Sequence, residues 1–163
     1  MAALMVVGGP FPLPGQQGMD TLPARLGVVH MQTEDIAIAA TLDLSTAQIA
    51  TIIADQNDRF RKAAFGIAVP GDIPTGQILM TAGVSGQPDA FRVALFEAIV
   101  TYDDFNTDCD PHGWHEMGVM EIDGQTVWFK FDLYDENYEY GSSDPTELRF
   151  TRRVLTILLP SEY

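Results

Sequence analysis

Met117-Gly118-Val119-Met120-Glu121-Ile122-Asp123-Gly124-Gln125-Thr126-Val127-Trp128-Phe129-Lys130-Phe131-Asp132-Leu133-Tyr134 is the stretch that decides the fold. Asp123-Gly124 lies between two extended runs, and this dipeptide suits a two-residue type I′ turn, where both central positions need positive φ. Val127, Phe129, Phe131 and Leu133 alternate with Trp128, Lys130, Asp132 and Tyr134, the period-two pattern of a half-buried strand. The turn sets the register: Ile122 faces Gln125, Met120 faces Val127, Val119 faces Trp128 and Met117 faces Lys130. Carried back past the strand, the same register puts His115 across from Asp132.

Outward from the hairpin, a helix is expected from about Ser45 to Ala64. Ser45 and Gln48 make a capping-box pair. Ile49, Ile52, Ile53, Phe60 and Ala64 fall mostly on one face, and Asp55, Asp58, Arg59 and Arg61 mostly on the other. Asp55→Arg59 and Asp58→Lys62 are i,i+4 pairs, and Gly66 suits a left-handed C-cap. Gln77–Thr81 reads as a short strand. Pro88–Asp104 reads as a second helix with Phe91, Leu95, Ala98, Ile99 and Tyr102 in one stripe. Arg153–Leu159 reads as a central strand. Residues 1–44, broken by Pro and Gly, read as an extension with at most a short strand at Leu26–Met31. The expected architecture is a single α+β domain over 45–163: an antiparallel sheet of about four strands with two helices packed on one face.

A chain of 163 residues with 46% hydrophobic residues is long enough for one domain with a proper core. One cysteine implies no disulfide. The apolar Met1–Val7 run has no Lys or Arg ahead of it and meets Gly8-Gly9-Pro10, too short for a membrane span or secretory signal, so a cytoplasmic protein is expected. The net charge is −14, and residues 103–147 carry thirteen Asp or Glu against the single Lys130, a net −12. Such a field repels phosphates and attracts basic surfaces or cations, so direct nucleic-acid binding is not expected. Plain solubility is the competing explanation.

Asp108-Cys109-Asp110-Pro111-His112-Gly113-Trp114-His115-Glu116-Met117-Gly118 concentrates groups that move protons or hold metals. Three readings stay open. Asp108, Asp110, His112 and His115 offer two carboxylates and two imidazoles suited to Zn or Mn, as in a metal-dependent hydrolase or nuclease, although the spacing matches no strong zinc signature. Alternatively His115, oriented by Asp132 and with Glu116 nearby, does general acid–base work, and Cys109 beside two histidines keeps a thiol nucleophile open. The third reading is structural or recognition: Asp-Pro turns, Gly113 at positive φ, and Trp114 as an anchor. Around the motif, Asp103, Asp104, Trp114, Asp135, Glu136, Tyr138, Glu139, Tyr140 and Asp144 mix charge with aromatics, a composition suited to a protein-binding rim, with no cofactor required. Arg152 and Arg153 are expected to pair with the surrounding acids.

From about Asn57 to Tyr163 the chain resembles the DUF3768 family of bacterial proteins of unknown function. The resemblance rests on Asn57-Asp58-Arg59-Phe60-Arg61, Met80-Thr81-Ala82-Gly83-Val84, the Asp108–Gly118 stretch, Lys130–Asp135, Tyr140–Pro145 and the ending Arg153–Tyr163. In the central motif Asp108, Asp110, Pro111, Gly113, His115 and Gly118 match the family pattern. Cys109, Trp114, Glu116 and Met117 stand where typical members have Asn, Glu, Asp and Phe, and losing the Glu at 114 weakens any catalytic or metal role that used it. The resemblance implies accessory proteins of plasmids and other mobile elements, a setting rich in anti-restriction and anti-CRISPR inhibitors. With the −12 segment it implies a non-enzymatic acidic protein that mimics DNA and binds the basic surface of a nucleic-acid-binding defence complex.

Overall fold

The computed structural model describes residues 3–6 and 44–163. The proposed strand at Leu26–Met31 and most of the extension lie outside the described residues. The elements are β1 (Ala3–Val6), α1 (Thr46–Ala64), β2 (Gly76–Met80), α2 (Ala82–Ser85), α3 (Asp89–Thr101), β3 (Met117–Ile122), β4 (Gln125–Tyr134), β5 (Arg152–Leu158) and a closing 3₁₀ turn, Pro160–Glu162. The strand order is β1-β2-β5-β4-β3. The fold is α+β, as the pattern implied.

The hairpin register is the expected one, from Ile122↔Gln125 to Met117↔Lys130. Asp123 and Gly124 take φ values of 50° and 77°, the positive values a type I′ turn demands. β4 then pairs antiparallel with β5. One pairing departs from the all-antiparallel expectation: β2 and β5 run parallel, with Ile78 opposite Leu155. The chain leaves β2 through α2, α3 and the hairpin before β5 returns beside it, and so long a connection permits a parallel pair. β1, inside the stretch read as extension, pairs antiparallel with β2 at the sheet edge.

Helix α1 starts where its signals place it. Ser45 Oγ accepts from Gln48 N and Gln48 Oε1 accepts from Ser45 N at 2.9 Å. It ends in a Schellman arrangement, with Gly66 at φ 85° and Ile67 N donating to Lys62 O. α3 stops at Thr101, three residues before the expected end, and the short α2 was not anticipated. Phe60, Phe91, Leu95 and Ile99 from the helices meet Ile78, Val127, Phe129, Phe131, Leu155 and Ile157 from one face of the sheet. Val127, Phe129 and Phe131 are the inward members of the alternation, so the half-buried reading of β4 describes this face directly. Gly118 sits against the Phe129 ring, where a Cβ would overlap the aromatic carbons. On the opposite face Trp128 is covered by Tyr163, with ring centroids 5.7 Å apart. Among the described residues no helix is long and apolar enough to cross a membrane.

Candidate functional site

The loop between α3 and β3 is held by two residues, Asn106 through its main-chain carbonyl and side chain, and Asp110 through its carboxylate. Asn106 accepts from the backbone N–H groups of Cys109 and Asp110 through its carbonyl and of Asp108 through its Oδ1. Asp110, 5% exposed, points its carboxylate into the loop and accepts from Trp114 N at 3.0 Å, His115 N at 2.9 Å and Glu116 N at 3.3 Å. Three converging amides make Asp110 a loop brace in place of the metal ligand suggested by spacing. Gly113, at φ 65°, lets the chain turn within that brace.

The brace reorients His115. Its φ is 54°, uncommon for a residue with a Cβ. The register runs one step past Met117, with Phe131 N donating to Glu116 O at 2.7 Å, and stops there; the expected pairing of His115 with Asp132 is not made. The imidazole instead stacks on Phe105, with centroids 3.9 Å apart and planes 1° from parallel. Its Nδ1 lies 3.2 Å from Asp58 Oδ2 of α1, at ion-pair distance but not aligned as a hydrogen bond. Asp132 pairs with Lys130 on the outer face of the sheet, Nζ to Oδ2 at 3.0 Å.

Asp58 is the partner that sequence spacing missed. Its expected mate was Lys62; its carboxylate instead joins Arg61 Nη2 at 2.8 Å and reaches His115. Arg61, expected on the solvent face, is 1% exposed. Its guanidinium donates to the carbonyls of Ile99 and, at 3.0 Å, Tyr102 at the end of α3, which carries no basic residue in its own last turn. Arg61 also lies over the Phe105 and Phe129 rings. Asn57 donates to Trp114 O at 2.9 Å, tying α1 to the loop from a second point. Asp58, Lys62, Thr101, Asp103, Phe105 and His115 border a groove of about 420 Å³ between α1 and the end of α3.

The other motif groups disperse. His112 is exposed and tilts against Trp114 at 5.3 Å. Asp108 is exposed. Among the described residues, no three His, Cys, Asp or Glu side chains gather into a metal-holding group, so the set Asp108, Asp110, His112 and His115 does not assemble. Glu116 lies near His112, Asp110 and Asp132. Burial pushes its carboxyl above the usual range, the two aspartates add to this, and His112 opposes it. Cys109 Sγ sits 3.7 Å from Asn106 O. The Tyr102 hydroxyl accepts from Val119 N and donates to Asp104 O. Burial, and then Cys109 and Asp104, raise its pKa against the lowering pull of Val119.

The acids of the rim divide into two groups. Asp135 Oδ1 accepts from Asn137 N and Glu139 N, and Asp144 Oδ1 from Thr146 N and Oγ1, so these two fold their own turns. Glu136 reaches Arg152 at 3.6 Å. Asp103, Asp104, Glu121, Asp123 and Glu139 are exposed and have no ion-pair partner among the described residues. Tyr138, at φ 61°, turns the loop so that Tyr140 projects 72% exposed.

These features define a small two-layer α+β domain with a carboxylate-braced loop packed on its first helix. The chain belongs to DUF3768, a family described as protein of unknown function, whose model matches residues 80–162. No curated protein and no solved structure matches it.

Proposed function

We propose that the protein is a non-enzymatic acidic interaction protein that acts in the cytoplasm by binding a basic protein surface. The partner we have in mind is a nucleic-acid-binding complex of host defence, engaged as an anti-restriction or anti-CRISPR inhibitor of a mobile element would engage it. The observation that carries the reading is the run of unpaired, exposed carboxylates along the β3–β4 flank. It takes in Asp123 at the turn, Glu121 on β3, Asp103 and Asp104 in the segment that Tyr102 ties to Val119 of β3, and Glu139 in the loop after β4. A ten-residue strand spans roughly 30 Å, and we read these charges as a stripe along that length. A stripe of that length suits an extended basic groove and steers its approach. Trp114 and Tyr140 supply aromatic anchors at its side and end.

The test uses the full chain as bait in a lysate of the cell that encodes it, with capture followed from low to high salt. Capture is expected to fall steeply with salt. It should be lost when Asp103, Asp104, Glu121, Asp123 and Glu139 are changed together to Asn or Gln, while Asp135 and Asp144, which fold their turns, are kept. Capture that is insensitive both to salt and to these substitutions refutes the proposal.

A further inference from the structure

β3 forms one edge of the sheet, and the hairpin register fixes which of its backbone groups face outward. In a two-residue hairpin the pair beside the turn, Ile122 and Gln125, exchanges hydrogen bonds, and bonded pairs alternate from there. Ile122, Met120 and Gly118 therefore bond to β4, while Glu121, Val119 and Met117 turn their N–H and C=O groups away from it. Two contacts agree with this phase. Glu116 O accepts from Phe131 N at 2.7 Å, and Val119 N donates outward to the Tyr102 hydroxyl at 3.2 Å. Among the described residues no strand lies beyond β3, and Val119 O, Glu121 N and Glu121 O make no hydrogen bond on that side. Edge strands commonly carry a Lys, a Pro or a bulge that stops another chain from pairing. β3 holds no Lys and no Pro, and its register with β4 is unbroken from Ile122 to Met117. Val119 is 41% exposed, and Glu121, two residues on and on the same face, is exposed as well.

We infer that this edge accepts an added strand from a basic protein partner, paired through the backbone of Val119 and Glu121. The inference rests on the acidic-partner reading above and names how such a partner is held: by main-chain hydrogen bonds to β3. Charge selects the occupant. Glu121 and Asp123 lie on the hairpin, and Asp103 and Asp104 lie in the segment whose Tyr102 hydroxyl reaches the edge. A second copy of the chain would bring the same acids against these, and like charges facing across strands are destabilising. A Lys or Arg opposite Glu121 makes a favourable cross-strand pair, and an apolar residue two positions along covers Val119. Tyr102 bounds the site, because a strand that continued to Met117 would have to displace its hydroxyl from Val119 N. The free register is short, so the backbone bonds fix orientation and the charges steer the approach.

The test uses the full isotope-labelled chain and the blocked peptide Thr-Lys-Thr-Val-Thr-Lys-Thr-Val, with a counterpart carrying Glu in place of Lys. At saturation the lysine peptide is expected to slow amide exchange at Glu121 by about tenfold, while Ile122, bonded within the hairpin, is unchanged. The glutamate peptide is expected to leave Glu121 unprotected. Glu121→Pro removes the outward N–H at an edge position that tolerates proline, whereas Glu121→Gln removes the charge alone. The proline variant is expected to bind the lysine peptide about fivefold more weakly than the glutamine variant. No binding of the lysine peptide, unchanged exchange at Glu121, or equal binding by the two variants overturns the inference. Salt-dependent binding that leaves Glu121 unprotected removes the edge site alone and keeps the acidic-partner reading. Equal protection by both peptides removes the basic partner itself. A dimer of the full chain that protects Glu121 without peptide assigns the edge to a second copy and also overturns the inference.

Discussion

Replacing Asp110 by alanine tests the central structural claim, that one carboxylate folds the loop carrying the motif. The substitution removes the acceptor for three backbone N–H groups, at 3.0, 2.9 and 3.3 Å, in a side chain only 5% exposed. Bonds to a charged acceptor are worth about 1.5 kcal/mol or more each, and the two shorter ones together give about 3 kcal/mol, with the longer one adding little. Against a total stability of about 5–15 kcal/mol that is a large loss. With a urea slope of about 1.5–2 kcal/mol per molar, the unfolding midpoint should fall by roughly 1.5–2 M. Asp108→Ala is the control: it lies in the same loop, is exposed, and should stay within about 0.5 kcal/mol of the parent. The Asp110 variant should also release His115 from its left-handed backbone, seen as a change in the NMR shifts of the Phe105 ring on which it stacks. A midpoint drop below about 0.5 M, or an equal drop in the Asp108 variant, would refute the assignment of Asp110 as the brace.

Two further outcomes follow from the packing and the charges. Gly118→Ala drives a methyl into Phe129 and Tyr102, and overpacking of this kind costs about 2 kcal/mol; a melting temperature within 1 °C of the parent, where a fall of about 4–8 °C is expected, would show that the ring has room to move. Glu116→Gln removes a carboxyl whose pKa is raised by burial in the folded state. The ionised form is the disfavoured one, so its penalty is present above the raised folded value and vanishes below the unfolded value near 4.5. The variant is therefore expected to gain stability over the parent near neutral pH and to lose that advantage in acid; a gain that grows on acidification would reverse the sign and defeat the argument.

The parts of the fold legible in the sequence are those fixed by neighbours in the chain. Asp123-Gly124 and the alternation to Leu133 set the hairpin register, and Ser45, Gln48 and Gly66 bound α1, because turns and caps are local chemistry. The direction of β2 was not legible. Five residues state no preference between parallel and antiparallel, and the crossover to β5 decides it. His115 was misplaced for a sharper reason. Period-two reasoning holds only while the backbone stays extended, and Asp110 gathers the amides of Trp114, His115 and Glu116 just before β3 begins. The polar side of α1 misled in a related way. An amphipathic reading sends Arg61 toward solvent and gives Asn57 no place in the core, yet their partners Ile99, Trp114 and Arg153 lie 38, 57 and 96 residues away. The polar run Gln56-Asn57-Asp58-Arg59, interrupted only by Phe60 before Arg61, was the available signal: a helix turn with so few apolar residues that still packs on a sheet must bury hydrogen-bonded groups.

The charge of the hairpin segment therefore has two separable causes. Asp110, Asp135 and Asp144 turn back onto their own loops and accept backbone N–H groups, work that neutral acceptors of the same shape do less well. Asp103, Asp104, Glu121, Asp123 and Glu139 point outward and hold nothing in the described fold. If solubility alone accounted for the second group, the acids would be spread over the whole surface. Instead the segment holds −12 of a net −14. Concentrating like charges in this way costs self-repulsion that a dispersed arrangement avoids. On the proposed reading, a positively charged partner surface relieves that cost, and neutralising the exposed acids is expected to remove the relief while the loop-bracing ones keep the loops folded.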